Sequence, residues 1–484
     1  VNLQRTPVGG RNFECASEEP FRAARMAAAF VRGVQGGGVG ACVKHFAGND
    51  VEWERHRASV EADERTLREG ILPPFEAAVR EAGVWSVTAA YNRLGGVHCT
   101  EHARLLTGIL RDEWGFDGAV ISDWFATQST APSLATGLDL EMPGPPRHYG
   151  ARLAAAVRAG EVSEATLDAA VRRVLGLLAR TGALDAPEGP PPERADDRPE
   201  HRALAREAAA AGTVLLRNER GALPLAGVRR LAVIGPTCFR TLPALAAADV
   251  EGAIELALFA GEAPDDTPLR RETVPGGELP WLQPPAPIAE GARFAARLRV
   301  DGREAIDLWR TRERGSAFFG LGSREIGIAV PLAAGASAEL EVDFAHDQPG
   351  LPAGLRLGFA PPEPADALER AVAAARGADA AVVVVGLDED WETEGRDRDS
   401  LALPGRQDEL VAAIAAANPC TIVVVNAGSP VAMPWVDDTA ALLQLWYPGQ
   451  EGGRALATCC SATSIPAAGS RSRSPCAWRT PPPS

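Results

Sequence analysis

The chain has 484 residues, with 64 Asp and Glu against 49 Lys and Arg and a formal net charge of -15. That length calls for two to four domains rather than one core, and the acidity excludes a nucleic-acid binder, because no basic face would outweigh it. The eight cysteines are scattered, without CxxC pairs or His-rich zinc spacing, and no apolar run is long enough to cross a bilayer, so metal, small disulfide-scaffold and membrane classes fall away.

Residues 1–185 alternate apolar runs with amphipathic helical stretches. The runs are GACVKHF (40–46), VWSVTAAYN (84–92), GAVISDW (118–124) and LDLEMP (138–143). Each ends in polar residues, as a buried parallel strand does where its C-terminal end opens into a site. Between the first two a helix is expected, capped by Asp63, burying Leu67, Ile71, Leu72, Phe75 and Val79, and ended by Gly83. Strand–helix alternation predicts a parallel sheet or a (β/α)8 barrel.

Residues 186–200 are Pro-rich and charged and read as a linker. A second α/β unit follows over 201–250 and 361–457, with strands at Leu231–Gly235, Ala380–Gly386, Thr421–Asn426 and Ala441–Tyr447 and a helix at Gln407–Ala417. It is interrupted at 251–360 by period-two alternation with Gly and Pro turns, at Phe294–Val300, Ile326–Val330 and Ala338–Phe344, which predicts a β-sandwich insert. Residues 458–484 carry no periodic apolar face and read as disordered. The fold class is therefore α/β: a partial (β/α)8 barrel, then an α/β sandwich domain carrying a β-sandwich insert.

Asp123 closes an apolar strand, where a parallel-sheet fold presents it at the sheet mouth. Alone, an Asp there is more often a helix cap than a nucleophile. Lys44 and His45 end another strand and supply donors for hydroxyl groups, although a solvent-facing Lys and a backbone-bonded His are the simpler reading of that pair. Arg11 offers a planar fork of donors, Tyr91 a phenol beside the nucleophile, and Trp124 an apolar wall. In DEDWETEGRDR (388–398) the residues themselves do not choose among the five carboxylates from Asp388 to Glu394, and a solvated acidic turn is the plain reading.

The series GRNFE, KHFAGND, DERTLREGILPPFE, AYN, LLTGILRDEWGFDGAVISDW and LATGLDLEMPG, in that order, resembles glycoside hydrolase family 3. The resemblance covers about residues 1–457 and is nearest to the β-glucosidase branch with a protective-antigen-like insert. It implies that Asp123 is the nucleophile of a retaining β-glycosidase and that Arg11, Lys44, His45 and Tyr91 bind the glycone. It places the acid/base on Glu394, which directly precedes a Gly, with Glu392 as second choice. The implied substrates are small β-glycosides or oligosaccharides, most directly terminal β-D-glucosides, with no cofactor or metal. β-Xylosidase or α-L-arabinofuranosidase activity and a catalytically inactive fragment remain alternatives, and homo-oligomerisation is left open. Cytoplasmic residence is a guess from unpaired cysteines.

Four departures from the family are expected. A barrel takes about 250 residues, so strands ahead of Asn2, one bearing a glycone-binding Asp, have no counterpart and strand edges are left unpaired. A one-base shift after Ala457 would restore a family-like continuation, so 458–484 reads as out of frame. RLRVDGR (297–303) runs together two strands that family inserts separate, as a short internal deletion would leave them. Thr88 stands where Met is expected, and as a β-branched strand residue it carries no functional meaning.

Overall fold

The structure, a computed structural model, describes residues 1–186, 195–219, 221–235, 254–258, 270–274, 278–281, 295–308, 326–331, 338–345, 353–356 and 365–461. The chain divides into two compact units, one of Val1–Cys238, Ala371–Glu392 and Arg396–Ser484, the other of Phe239–Arg370 with Thr393–Gly395.

The first unit begins with three parallel strands, β1 (Cys42–Phe46), β2 (Ser86–Ala89) and β3 (Ala119–Ser122), in the spatial order β1-β2-β3. Helix α1 (Pro20–Gly36) precedes β1. Glu19 caps it by accepting the N–H groups of Phe21 and Arg22, and Ala23, Ala24, Ala27, Ala28 and Val31 form its buried stripe.

The helix expected from Asp63 is present, but in pieces. Asp63 accepts the Thr66 N–H at 2.7 Å. Leu67–Ile71 then widens into a π turn before α2 (Pro73–Arg80). Pro73 has no N–H to continue the ladder, and Leu72 N bonds Leu67 O at 2.9 Å, five residues back. All five expected core residues are buried. Gly83, at φ +59, ends the segment with its N–H on Val79 O. The core beneath centres on Phe46, whose ring lies 5.1 Å from Phe75 and 5.9 Å from Trp114.

The run LDLEMP does not form a strand. It meets β3 through a single bridge, Ile121 with Leu140. The Asp139 carboxylate is turned inward instead, accepting from Arg111 (2.7 Å), Arg173 (2.8 Å) and Val120 N (2.8 Å). Backbone bonds from Asp139 N and Leu140 N to Val120 O, and from Ser122 N to Leu140 O, tie the segment to β3 beside those side-chain contacts without extending into a ladder.

The same unit continues with helix α3 (Pro199–Gly212), which opens inside the stretch read as linker, with Pro at a position where its missing N–H costs nothing. A five-stranded sheet follows, built from β4 (Val214–Asn218), β5 (Leu231–Ile234), β6 (Ala380–Gly386), β7 (Thr421–Asn426) and β8 (Ala441–Gln444), in the order β4-β8-β7-β6-β5. All pairs are parallel except β8 with β4. Alternate residues point to two different cores. Val383, Val385, Val423 and Val425 join Val411 and Ile414 of α4 (Gln407–Ala417), whereas Val382, Ile422, Val424 and Leu443 join Leu223 and Cys460. Both faces of β6 and β7 are buried, as a continuous Val-rich run demands. β8 stops short of the expected Tyr447, and Trp446 takes a positive φ of 60°.

Helix α5 (Gly452–Ser461) carries regular structure four residues past the expected start of the disordered tail, with Cys459 and Cys460 buried. The rest of that tail lies outside the described residues.

In the second unit, antiparallel pairs join 254–258 to 270–274 and 278–281 to 353–356, and Ala295–Val300 pairs with both Arg303–Asp307 and Leu340–Ala345. The sequence RLRVDGR closes as a hairpin, with Asp301 and Gly302 at φ +48 and +72 supplying the left-handed pair a two-residue turn needs. Ile326–Val330, expected as a strand, lies in no ladder among the described residues, and its apolar side chains are exposed.

Candidate active site

Parallel pairing brings the C-terminal ends of β1, β2 and β3 to one edge. Ala90 N bonds Phe46 O at 2.8 Å and Asp123 N bonds Ala89 O at 3.1 Å, so His45, Tyr91 and Asp123 issue from adjacent strand ends. The turn after β3 is fixed on both sides. Asp123 Oδ1 accepts the Trp124 N–H at 2.8 Å. Phe125 takes φ +65, donates its N–H to Met142 O at 3.0 Å, and accepts from Arg147 at 2.7 Å.

His45 Nε2 lies 3.4 Å from Asp123 Oδ2. Its Nδ1 is 3.1 Å from Asn2 Oδ1, and Asn2 also pins the His45 backbone, accepting its N–H at 2.7 Å and donating to its carbonyl at 3.1 Å. Burial, with the positive charges of Arg11 and Lys44 next, holds the imidazole well below its ordinary range, so the ring is neutral.

Arg11 and Lys44 meet on Glu14. Arg11 donates from two nitrogens at 2.9 and 3.0 Å, and Lys44 Nζ lies 3.5 Å away. Burial pushes the Glu14 carboxyl up, but Arg11 and then Lys44 outweigh it and hold it below the usual range. A cavity of about 60 Å³ is lined by Asn2, Arg11, Glu14, Lys44, His45 and Asn49. Neither amide atom of buried Asn49 has a hydrogen-bond partner among the described residues. Sequence reading missed Asn2, Glu14 and Asn49. Glu14 and Asn49 stand inside the GRNFE and KHFAGND strings, whereas nothing local marks Asn2.

Tyr91 is buried with its ring 4.3 Å from His56 and 4.6 Å from the Arg55 guanidinium, which in turn pairs with Glu52 at 2.7 Å. Trp124 is 39% exposed and meets the Phe125 ring edge-on, so its indole offers a surface beside Asp123. The structure thus gathers Asp123, His45, Lys44, Arg11, Tyr91 and Trp124 in the first unit. Glu394 falls in Thr393–Gly395, part of the second unit. Glu392 is buried in the first, its oxygens taken by Gly428 N (2.8 Å), the Ser429 hydroxyl and the Tyr447 phenol, which leaves no face for a glycosidic oxygen.

A larger groove of about 810 Å³ runs between α3 and α5. It contains none of these residues, and Arg202 and Arg454 on its walls are already paired with Glu451. Among the described residues no cluster of His, Cys, Asp and Glu could hold a metal ion, and no helix is long and apolar enough to cross a membrane.

Two sequence-family models match, the glycosyl hydrolase family 3 N-terminal domain over residues 1–177 and its C-terminal domain over 213–467. The chain belongs to glycosyl hydrolase family 3. Similar proteins include a beta-glucosidase of Rhizobium radiobacter, 40% identical over 94% of this chain and 64% of that protein, and beta-glucosidase B of Emericella nidulans, 36% identical with the same coverage. The crystal structure of a beta-glucosidase from Kluyveromyces marxianus in complex with glucose superposes with a TM-score of 0.81, at 29% identity, over 95% of this chain and 66% of that one. The chain therefore spans about 64% of the length of the curated relatives it matches.

Proposed function

We propose that this family 3 chain is a retaining β-glucosidase that releases terminal β-D-glucosyl units from small β-glycosides or oligosaccharides. The observation that carries the reading is the placement of Asp123 at the end of β3, fixed by the Trp124 N–H and flanked at 3.4 Å by a neutral His45. Asp123 attacks the anomeric carbon while Glu394 protonates the departing oxygen. Glu394 then takes a proton from water, which releases the sugar with retained configuration. That chemistry requires the two carboxyl groups about 5–5.5 Å apart and draws on no cofactor.

Arg11, Lys44 and His45 bind the glycone hydroxyls, with Tyr91 beside the nucleophile and Trp124 walling a sugar face. Asn49, buried on the same cavity without a partner among the described residues, supports a polar ligand there. The finer architecture follows the same reading. β1, β2 and β3 form part of a (β/α)8 barrel, and the antiparallel pairs of the second unit form a protective-antigen-like sandwich insert.

Kinetics on a panel of 4-nitrophenyl glycosides test the function. Hydrolysis of the β-glucoside is expected, abolished by Asp123→Ala. Equal rates on β-xyloside and β-glucoside would remove the glucosidase reading, and turnover surviving in Asp123→Ala would remove the nucleophile.

A further inference from the structure

Glu394 sits in the loop between β6 and α4, and both stems of that loop are tied down by side chains that flank it. On the N-terminal side Glu392 is held by Gly428, Ser429 and Tyr447. The approach at Gly428 is so close that a Cβ there would lie 2.4 Å from the Phe13 Cβ. On the C-terminal side, Arg398 N bonds Val8 O at 2.8 Å, and its buried guanidinium donates to the carbonyls of Pro7 and Pro430.

Asp397 makes the most directed of these contacts. Its Oδ1 accepts from Gly10 N at 3.0 Å and Glu52 N at 3.1 Å, and its Oδ2 from Glu52 N at 3.0 Å and Trp53 N at 2.9 Å. The residues joined are 345 and 387 positions away in sequence. They belong to the two segments that matter for the glycone: Gly10 directly precedes Arg11, and Glu52 lies with Asn49 on the loop that leaves β1, the strand that carries Lys44 and His45. A carboxylate that gathers three backbone amides is a strong, directional anchor. Chain connectivity then limits Glu394 to a three-residue bridge between Glu392 and Arg396.

We propose that Asp397 is a positioning residue for the acid/base, locking the Glu394 loop onto the backbone that carries Arg11 and the Lys44–His45 strand end. The proposal rests on the assignment of Glu394 given above. It predicts a defect weighted toward proton transfer, because Asp397 stands three residues from Glu394 and the three amides it holds, of Gly10, Glu52 and Trp53, do not belong to the nucleophile's strand.

The test compares phenyl β-D-glucoside, whose leaving group needs a proton, with 2,4-dinitrophenyl β-D-glucoside, whose leaving group does not. Glu394→Ala serves as reference and should lose kcat/KM by at least about 100-fold on the phenyl substrate, and far less on the dinitrophenyl one. Asp397→Asn keeps the shape but turns an NH2 toward amide donors. It should follow the same pattern, with a loss on the order of 100-fold on phenyl glucoside and under about 10-fold on the activated substrate. Equal losses on both, or no loss, overturn the proposal. A Glu394→Ala variant without leaving-group dependence overturns the acid/base assignment instead, a result distinguishable from failure of Asp397 alone. Hydrogen exchange reads the same anchor without turnover. In Asp397→Asn the amides of 50–53 and of 390–396 should exchange faster, and unchanged exchange in 390–396 refutes the positioning role whatever the kinetics.

Discussion

Asp139→Ala should destabilise the first unit by about 3 kcal/mol, because it removes a carboxylate whose side chain is fully buried between Arg111 at 2.7 Å and Arg173 at 2.8 Å. Breaking a buried charged pair costs roughly 3–5 kcal/mol. The lower end applies because Arg173 keeps 27% of its side-chain surface and can rehydrate, whereas Arg111, at 11%, cannot. The Val120 N–H loses its acceptor as well, and Val120 lies in the strand that ends at Asp123, so activity should fall together with stability. Urea unfolding followed by tryptophan fluorescence reads the change, with Arg180→Ala as control. That residue pairs with Asp117 at 3.1 Å on the surface, where such contacts are worth about 0–1 kcal/mol. A loss below about 1 kcal/mol for Asp139→Ala would show that the inward carboxylate does not hold this segment against β3.

Three further outcomes follow from the site. The neutral His45 ties stability to pH: its folded pKa lies below the ordinary 6.5, so the unfolded chain takes up that proton first as pH falls. Its contribution is complete above about pH 6.5 and is lost downward at no more than about 1.4 kcal/mol per pH unit; an identical pH slope in His45→Gln would contradict it. Arg11→Lys replaces a two-nitrogen grip on Glu14 with a single point and should raise KM about 10-fold with a smaller change in kcat, and the reverse pattern would refute a binding role. Gly428→Ala should cost about 1–3 kcal/mol through overpacking against Phe13, and a neutral effect in urea unfolding would show that the close approach is relaxed in solution.

What the sequence made legible were features with a local cause. Val-rich runs located β6 and β7 to the residue, Asp63 capped the segment it was expected to cap, and Gln407–Ala417 is a helix with the expected bounds. β4 was missed because its short apolar run follows a helix directly and pairs antiparallel at the sheet edge, without the strand–helix rhythm that revealed the others. LDLEMP misled because alternation looks the same whether a segment extends into a ladder or, as here, makes one bridge and a few backbone bonds around a buried carboxylate. At the site, Asp123, His45, Lys44 and Arg11 stood at strand ends or inside a motif. Asn2 behind His45 and Asp397 behind Gly10 and Glu52 are joined across 43 and more than 340 residues, and no local pattern encodes such a pair.

The central assignment is that Asp123 becomes covalently glycosylated. Incubation with a 2-deoxy-2-fluoro-β-glucosyl inactivator, followed by peptide mass spectrometry, should place one fluoroglucosyl group on the Asp123 carboxylate within GAVISDW. Label on a different carboxylate, or turnover of a β-glucoside that releases the α-anomer first, would contradict it.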